Sequence, residues 1–182
     1  EITEDVTVVA RALEGYALDE TATAWWDFVY VAPAPEVGNL FYFVNSWDKT
    51  TEDVRIAFGN EGDEIFVGDW DGDGKDTLAI RRGNEFFVNN ELTGDLPKDT
   101  FHYGRPGDDV IVGDWDGDGT DTLGVRRGSM FYIVNELKGG HADISFNYGR
   151  EADVVHVGDW DGDKIDTIMV QRGKAFFANN AL

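Results

Sequence analysis

Four aspartates within eight residues recur three times in this chain. They lie in VGDWDGDGKDT, VGDWDGDGTDT and VGDWDGDKIDT, which begin at Val67, Val112 and Val157. Carboxylates that close repel one another, so something must hold them together. Calcium could: Ca2+ takes six to eight oxygen ligands at about 2.3–2.6 Å. A loop with carboxylates at positions 1, 3 and 5 and a carbonyl at 7 can wrap one ion. Alternation sends the three side chains to one side, and glycines at 4 and 6 permit the left-handed backbone that folds them inward. The first loop offers Asp69, Asp71, Asp73 and the Lys75 carbonyl, with Asp76 at position 8. The second offers Asp114, Asp116, Asp118, the Thr120 carbonyl and Asp121. The third offers Asp159, Asp161, Asp163, the Ile165 carbonyl and Asp166. About three Ca2+ ions are therefore expected. Mg2+ fits less well because it keeps its waters. Position 12 is Ile80, Val125 or Val170, inside an apparent strand, which excludes an EF-hand. Lys164 replaces Gly74 and Gly119 in the third loop. A left-handed side chain there costs on the order of 1 kcal/mol, so the third site is expected to be the weakest. The alternative is an acidic turn that holds no ion.

The loops are spaced by 45 residues, and so are Gly38, Gly83, Gly128 and Gly173, and Phe41, Phe86, Phe131 and Phe176. Within each repeat the segments are short, β-branched and aromatic, and punctuated by Gly, Asn, Asp or Pro. TLAIRR, NEFFVNN, DTFHYG and VIVGD are examples. No long helical period occurs. Four short strands per repeat of this length predict an all-β, β-propeller-like fold of about four blades, each of four antiparallel strands. The chain reads as a single repeat domain, 1–182. A degenerate first repeat covers about 1–37, where Trp25 stands 45 residues before Trp70 without the carboxylates. Repeats 38–82, 83–127 and 128–172 follow. A partial repeat, 173–182, would be completed by N-terminal strands. An open fragment of a larger propeller, or one closed by dimerisation, is the structural alternative.

The formal charge of −21 argues against nucleic acid and other polyanionic partners and suits divalent cations. A hydrophobic fraction of 42% is too high for a disordered acidic tail. No cysteine is present, which removes disulfides and thiolate metal sites. No apolar run is long enough for a transmembrane helix, so membrane insertion is not expected.

Other recurrent residues have structural readings. Arg82, Arg127 and Arg172 share the alternation of Leu78 and Ile80 and are expected on the apolar face, paired internally with an acidic loop. Arg81 and Arg126 point the other way and are expected in solvent. Trp70, Trp115 and Trp160, at position 2, are expected to pack between neighbouring blades. Trp25, Trp26 and Trp47 break the repeat, which makes them candidates for a ligand site. His102, His141 and His156 show no metal-binding spacing, and no serine lies in a nucleophile motif.

DWDGDG followed by an apolar strand resembles the calcium loops of FG-GAP/VCBS-type repeats, the blades of integrin-like propellers. The VGDWDGDGxDTLxVRRG form, with Tyr-Gly-Arg at 103–105 and 148–150, resembles repeats appended to secreted bacterial surface and cell-wall proteins. The likeness covers about 38–182. The usual loop carries its last carboxylate at position 9. Here position 9 is Thr77, Thr122 or Thr167 and the acid sits at 8. The repeat is also shorter than an integrin blade. The resemblance implies a secreted or cell-surface, non-catalytic module stabilised by calcium, binding cell-wall or surface glycan. The alternatives are protein recognition, as in integrin-like adhesion, or a purely architectural domain. An enzyme using the propeller funnel is the more distant reading.

Overall fold

Every described strand pairs antiparallel, and the strands recur at the interval of the sequence repeat. The computed structural model describes residues 38–93 and 97–182. Trp25, Trp26, the first repeat and the proposed N-terminal strands of the last sheet lie outside them. The described residues are all-β, with four sheets and no helix. The first sheet pairs β1 (Asn39–Phe43) with β2 (Val54–Phe58). The second runs β3 (Glu64–Gly68), β4 (Thr77–Arg82), β5 (Glu85–Asn89) and β6 (Asp99–His102). The third repeats it with β7 (Asp109–Gly113), β8 (Thr122–Arg127), β9 (Met130–Ile133) and β10 (Ile144–Asn147). The fourth holds β11 (Val154–Gly158), β12 (Thr167–Arg172) and β13 (Ala175–Asn179). Sheets and sequence repeats are out of phase. Residues 83–127 supply the last two strands of one sheet and the first two of the next.

That phase shift ties each sheet to its neighbour, and three apolar cores fill the gaps. Ile56 and Phe58 of the first sheet meet Leu78 and Ile80 of the second. Phe86, Val88 and Ala79 of the second meet Leu123 and Val125 of the third. Phe131 and Ile133 of the third meet Ile168 and Val170 of the fourth. The second strands β4 and β8 are therefore buried on both faces, and their sequences lose the alternation of a half-exposed strand. Trp70 and Trp115 are buried in the second and third of these gaps, as expected. Among the described residues no sheet packs over Trp160, which is 39% exposed.

Double-sided burial reverses the expected roles of the arginines. Arg81 and Arg126 are buried, not solvated. Arg81 reaches across the gap to donate from Nη1 to the Asp108 carbonyl at 2.7 Å, and it pairs with Glu64. Arg126 donates from Nη1 to the Asp153 carbonyl at 2.9 Å and from Nη2 to the carbonyls of Arg150 and Glu151. Arg82, Arg127 and Arg172 sit at strand ends where the apolar face runs out, and they are partly exposed. Their carboxylate partners are Asp63, Asp108 and Asp153, which lie outside the acidic loops. Each guanidinium also covers an aromatic ring: Phe87, Tyr132 or Phe177.

The register places the turns after Gly68, Gly113 and Gly158 at the end of each sheet opposite these arginines. There the sheets approach so closely that a side chain has no room. A Cβ on Gly113 would lie 2.9 Å from both Asp166 Oδ2 and Val157 Cγ1. Gly113→Ala is accordingly expected to destabilise the protein by about 1–3 kcal/mol, measured as a lower urea midpoint. An unchanged midpoint would contradict this packing.

Candidate metal centre

The turn between the first and second strands of a sheet is the acidic loop, and backbone amides shape it. Asp69 Oδ1 accepts the N–H of Gly72 at 2.9 Å and of Asp73 at 3.1 Å, and its Oδ2 accepts the N–H of Gly74 at 2.7 Å. Asp114 repeats this with Gly117, Asp118 and Gly119. Asp159 repeats it with Gly162, Asp163 and Lys164. The position-5 carboxylate takes the amide two residues on: Asp73 from Lys75, Asp118 from Thr120, Asp163 from Ile165. These bonds curl the loop until the carboxylates at positions 1, 3 and 5 converge. One oxygen from each of Asp69, Asp71 and Asp73 lies within 4.8 Å of the others. The same holds for Asp114, Asp116 and Asp118, and for Asp159, Asp161 and Asp163. A carboxylate has about four lone-pair sites, so the amide bonds leave oxygen free to face an ion. These three triplets are close enough to hold a metal ion.

The fourth carboxylate is placed differently. Asp121 Oδ2 accepts the backbone N–H of Asp69, in the preceding loop, at 2.8 Å. The Asp121 N–H in turn donates to the Asp69 carbonyl at 2.7 Å. Asp166 makes the same reciprocal pair with Asp114, at 3.1 and 2.7 Å. Position 8 thus links adjacent loops, while positions 1, 3 and 5 form the cluster. Burial pushes the Asp121 and Asp166 carboxyls above the ordinary range, with nearby aspartates adding to the effect. Asp76 is exposed. Lys75, besides donating its amide, pairs its ammonium with Asp73 at 2.7 Å. Both groups are well exposed, so the pair contributes little to stability.

The position-6 backbone is left-handed in all three loops: φ is 84° at Gly74, 91° at Gly119 and 73° at Lys164. Lys164 is the one non-glycine residue with positive φ among the described residues. Trp47, the candidate ligand residue among them, is fully exposed in the hairpin between β1 and β2. Sequence reasoning missed Asp63, Asp108 and Asp153, although each stands three residues after the Asn60, Arg105 or Arg150 of a recurrent turn. Each accepts an amide of its own turn as well as the neighbouring arginine. No family model matches the chain, and neither the curated proteins nor the solved structures contain a match to it.

Two outcomes follow for stability. Lys164→Gly should stabilise the protein by about 1 kcal/mol in chemical denaturation, by relieving the left-handed side chain. Lys164→Ala keeps the Cβ and should give no such gain. The second outcome concerns acid. The Arg82 and Arg172 guanidinia hold the Asp63 and Asp153 carboxyls below their ordinary range. At Asp108 burial acts upward, but the Arg127 guanidinium and the Arg105 amide outweigh it, and the net shift is downward. A carboxyl lowered by folding adds stability above its unfolded pKa and loses it as pH falls through the folded one. Stability should therefore drop as pH falls below about 4. Asp108→Asn should be less stable at neutral pH and show a shallower acid decline in urea midpoints measured across pH.

Proposed function

We propose that this chain is an extracellular, non-catalytic binding module whose β-propeller-like stack is stabilised by three Ca2+ ions. The observation that carries this reading is the threefold convergence of Asp carboxylates on loops that also bond to one another. Hard oxygen donors in a flexible loop suit Ca2+ over softer transition metals. Each ion would relieve the repulsion within its triplet. Three ions add six positive charges, taking −21 to −15. The FG-GAP/VCBS resemblance of DWDGDG supports the same reading. Blades of this type close into rings, and the consecutive stacking of sheets is consistent with an arc of one. Millimolar extracellular calcium would suffice for such sites.

The ligand proposed is a cell-wall or surface glycan. Trp47 supports it, since a fully exposed indole at a hairpin tip offers an apolar face for a sugar ring and an N–H for its hydroxyls. Calorimetric titration of chelator-stripped protein should give a stoichiometry near three, with the third loop the weakest. The melting temperature should rise with calcium; a hundredfold excess over the dissociation constant adds about 2.7 kcal/mol per site. No heat and no shift would refute the metal. Insoluble peptidoglycan should pull the calcium-loaded protein down, and Trp47→Ala should weaken this without changing the melt. Retention of a protein partner instead would move the reading to adhesion between proteins.

A further inference from the structure

The recurrent Tyr-Gly-Arg turn contains a residue the fold does not use. Its glycine is required: φ is 66° at Gly104 and 68° at Gly149, and a Cβ on Gly104 would sit 3.0 Å from Val125 Cγ1. The aspartate three residues after the arginine closes the turn and clamps the next arginine. The arginine itself, Arg105 or Arg150, gives the turn its backbone groups, and its charge acts on that aspartate without a side-chain hydrogen bond. Among the described residues neither guanidinium makes a hydrogen bond or ion pair, and both residues are exposed. Asn60 occupies the place in the first copy, so the turn forms without arginine. An arginine without a side-chain hydrogen bond among the described residues is the less expected in a protein that carries 36 acidic residues and only 15 basic ones.

Both arginines line a cavity, and the two cavities share a plan. The first, about 280 Å³, is bordered by Tyr103, Arg105, Arg127, Tyr132 and His141. The second, about 480 Å³, is bordered by Arg150, Asp153, Gln171 and Arg172. In each, the second arginine spends Nε and Nη2 on its aspartate, leaving Nη1 unused. Each cavity is therefore bordered by one guanidinium that makes no hydrogen bond among the described residues and by a second that its aspartate holds, with Tyr132 also acting on Arg127.

We propose that these cavities are carboxylate-binding sites, each taking one monoanionic carboxylate carried on a small ring or short chain. The planar guanidinium fork matches a carboxylate in two parallel bonds. In a protein of this acidity a monoanion is held against less repulsion than a phosphate dianion. Val125 gives the first cavity an apolar contact, beside the Tyr132 ring that the Arg127 guanidinium covers. These sites use neither the metal loops nor Trp47, so the proposal is independent of the reading above.

The test is amide chemical-shift titration of the full chain at constant ionic strength. The probes are glucuronate against glucose, and an N-acetyl dipeptide against its C-terminal amide. Saturable shifts at Arg105 and Arg150 with a carboxylate probe, absent with its neutral counterpart, are expected, with millimolar dissociation constants. Arg105→Ala and Arg150→Ala should each abolish the shifts at their own site only, with the remaining spectrum unchanged. Binding of glucuronate alone would identify a saccharide source, and binding of the dipeptide alone a peptide terminus; either supports the site. Equal shifts with the neutral probes, no shifts with any probe, or shifts that survive both substitutions would overturn it.

Discussion

The architecture depends on a pair of hydrogen bonds exchanged between neighbouring acidic loops. Asp69 and Asp121 each give a backbone N–H and each receive one, and Asp114 and Asp166 do the same. The residue that opens a loop at position 1 is thus also the contact point for the next loop's position 8. Asp69 takes three amides of its own turn on its carboxylate while its peptide groups hold the next sheet. Loop shape and sheet stacking are consequently one structure. Whatever sharpens the loop also fixes the joint, and this is how the proposed ions would stabilise far more than the turns that bind them.

At the opposite end the same gap is spanned by cations. Arg81 and Arg126 leave their own sheet to meet carbonyls of the next, so each of these seams is fastened by acids at one end and by a guanidinium at the other. Buried guanidinium is tolerable because its Nη donors find carbonyl or carboxylate oxygen, although Arg126 Nε has no partner among the described residues. The fourth sheet departs from this plan at matching positions. Gln171 stands where Arg81 and Arg126 stand, and bonds within its own sheet to His156 and Gly173. Trp160 folds back over Gly158, the place that the next sheet's valine and aspartate occupy at Gly68 and Gly113. Lys164 breaks the glycine rule of the loop.

Much of this was legible in the sequence. The 45-residue interval gave the strand spacing, and Gly-Asp-Trp-Asp-Gly gave the turn, because both follow from local chemistry that each copy repeats. The convergence of Asp69, Asp71 and Asp73 follows from alternation, glycine and the amides that Asp69 and Asp73 accept from their own loop, all of them local. The arginines were misread for a definite reason. Alternation assigns faces only when one face is wet, and β4 and β8 have none. Leu78 and Arg81 are both buried, on opposite sides, so parity carried no information about solvent. The fourth carboxylate was opaque for a related cause: Asp121 meets a residue 52 positions away, and no local pattern encodes that contact. The phase of sheets against repeats was hidden too, since a periodic sequence fixes an interval without fixing where a sheet begins.

The central claim is that the acidic loops are the joints of the stack and that metal tightens them. Amide hydrogen exchange at Asp121 and Asp166 tests it most directly, because those two N–H groups cross the joints. Measured with and without calcium, both amides should rank among the slowest in the chain when calcium is present, and lose much of that protection on chelation. Fast exchange in calcium, or protection that chelation leaves untouched, would contradict the account.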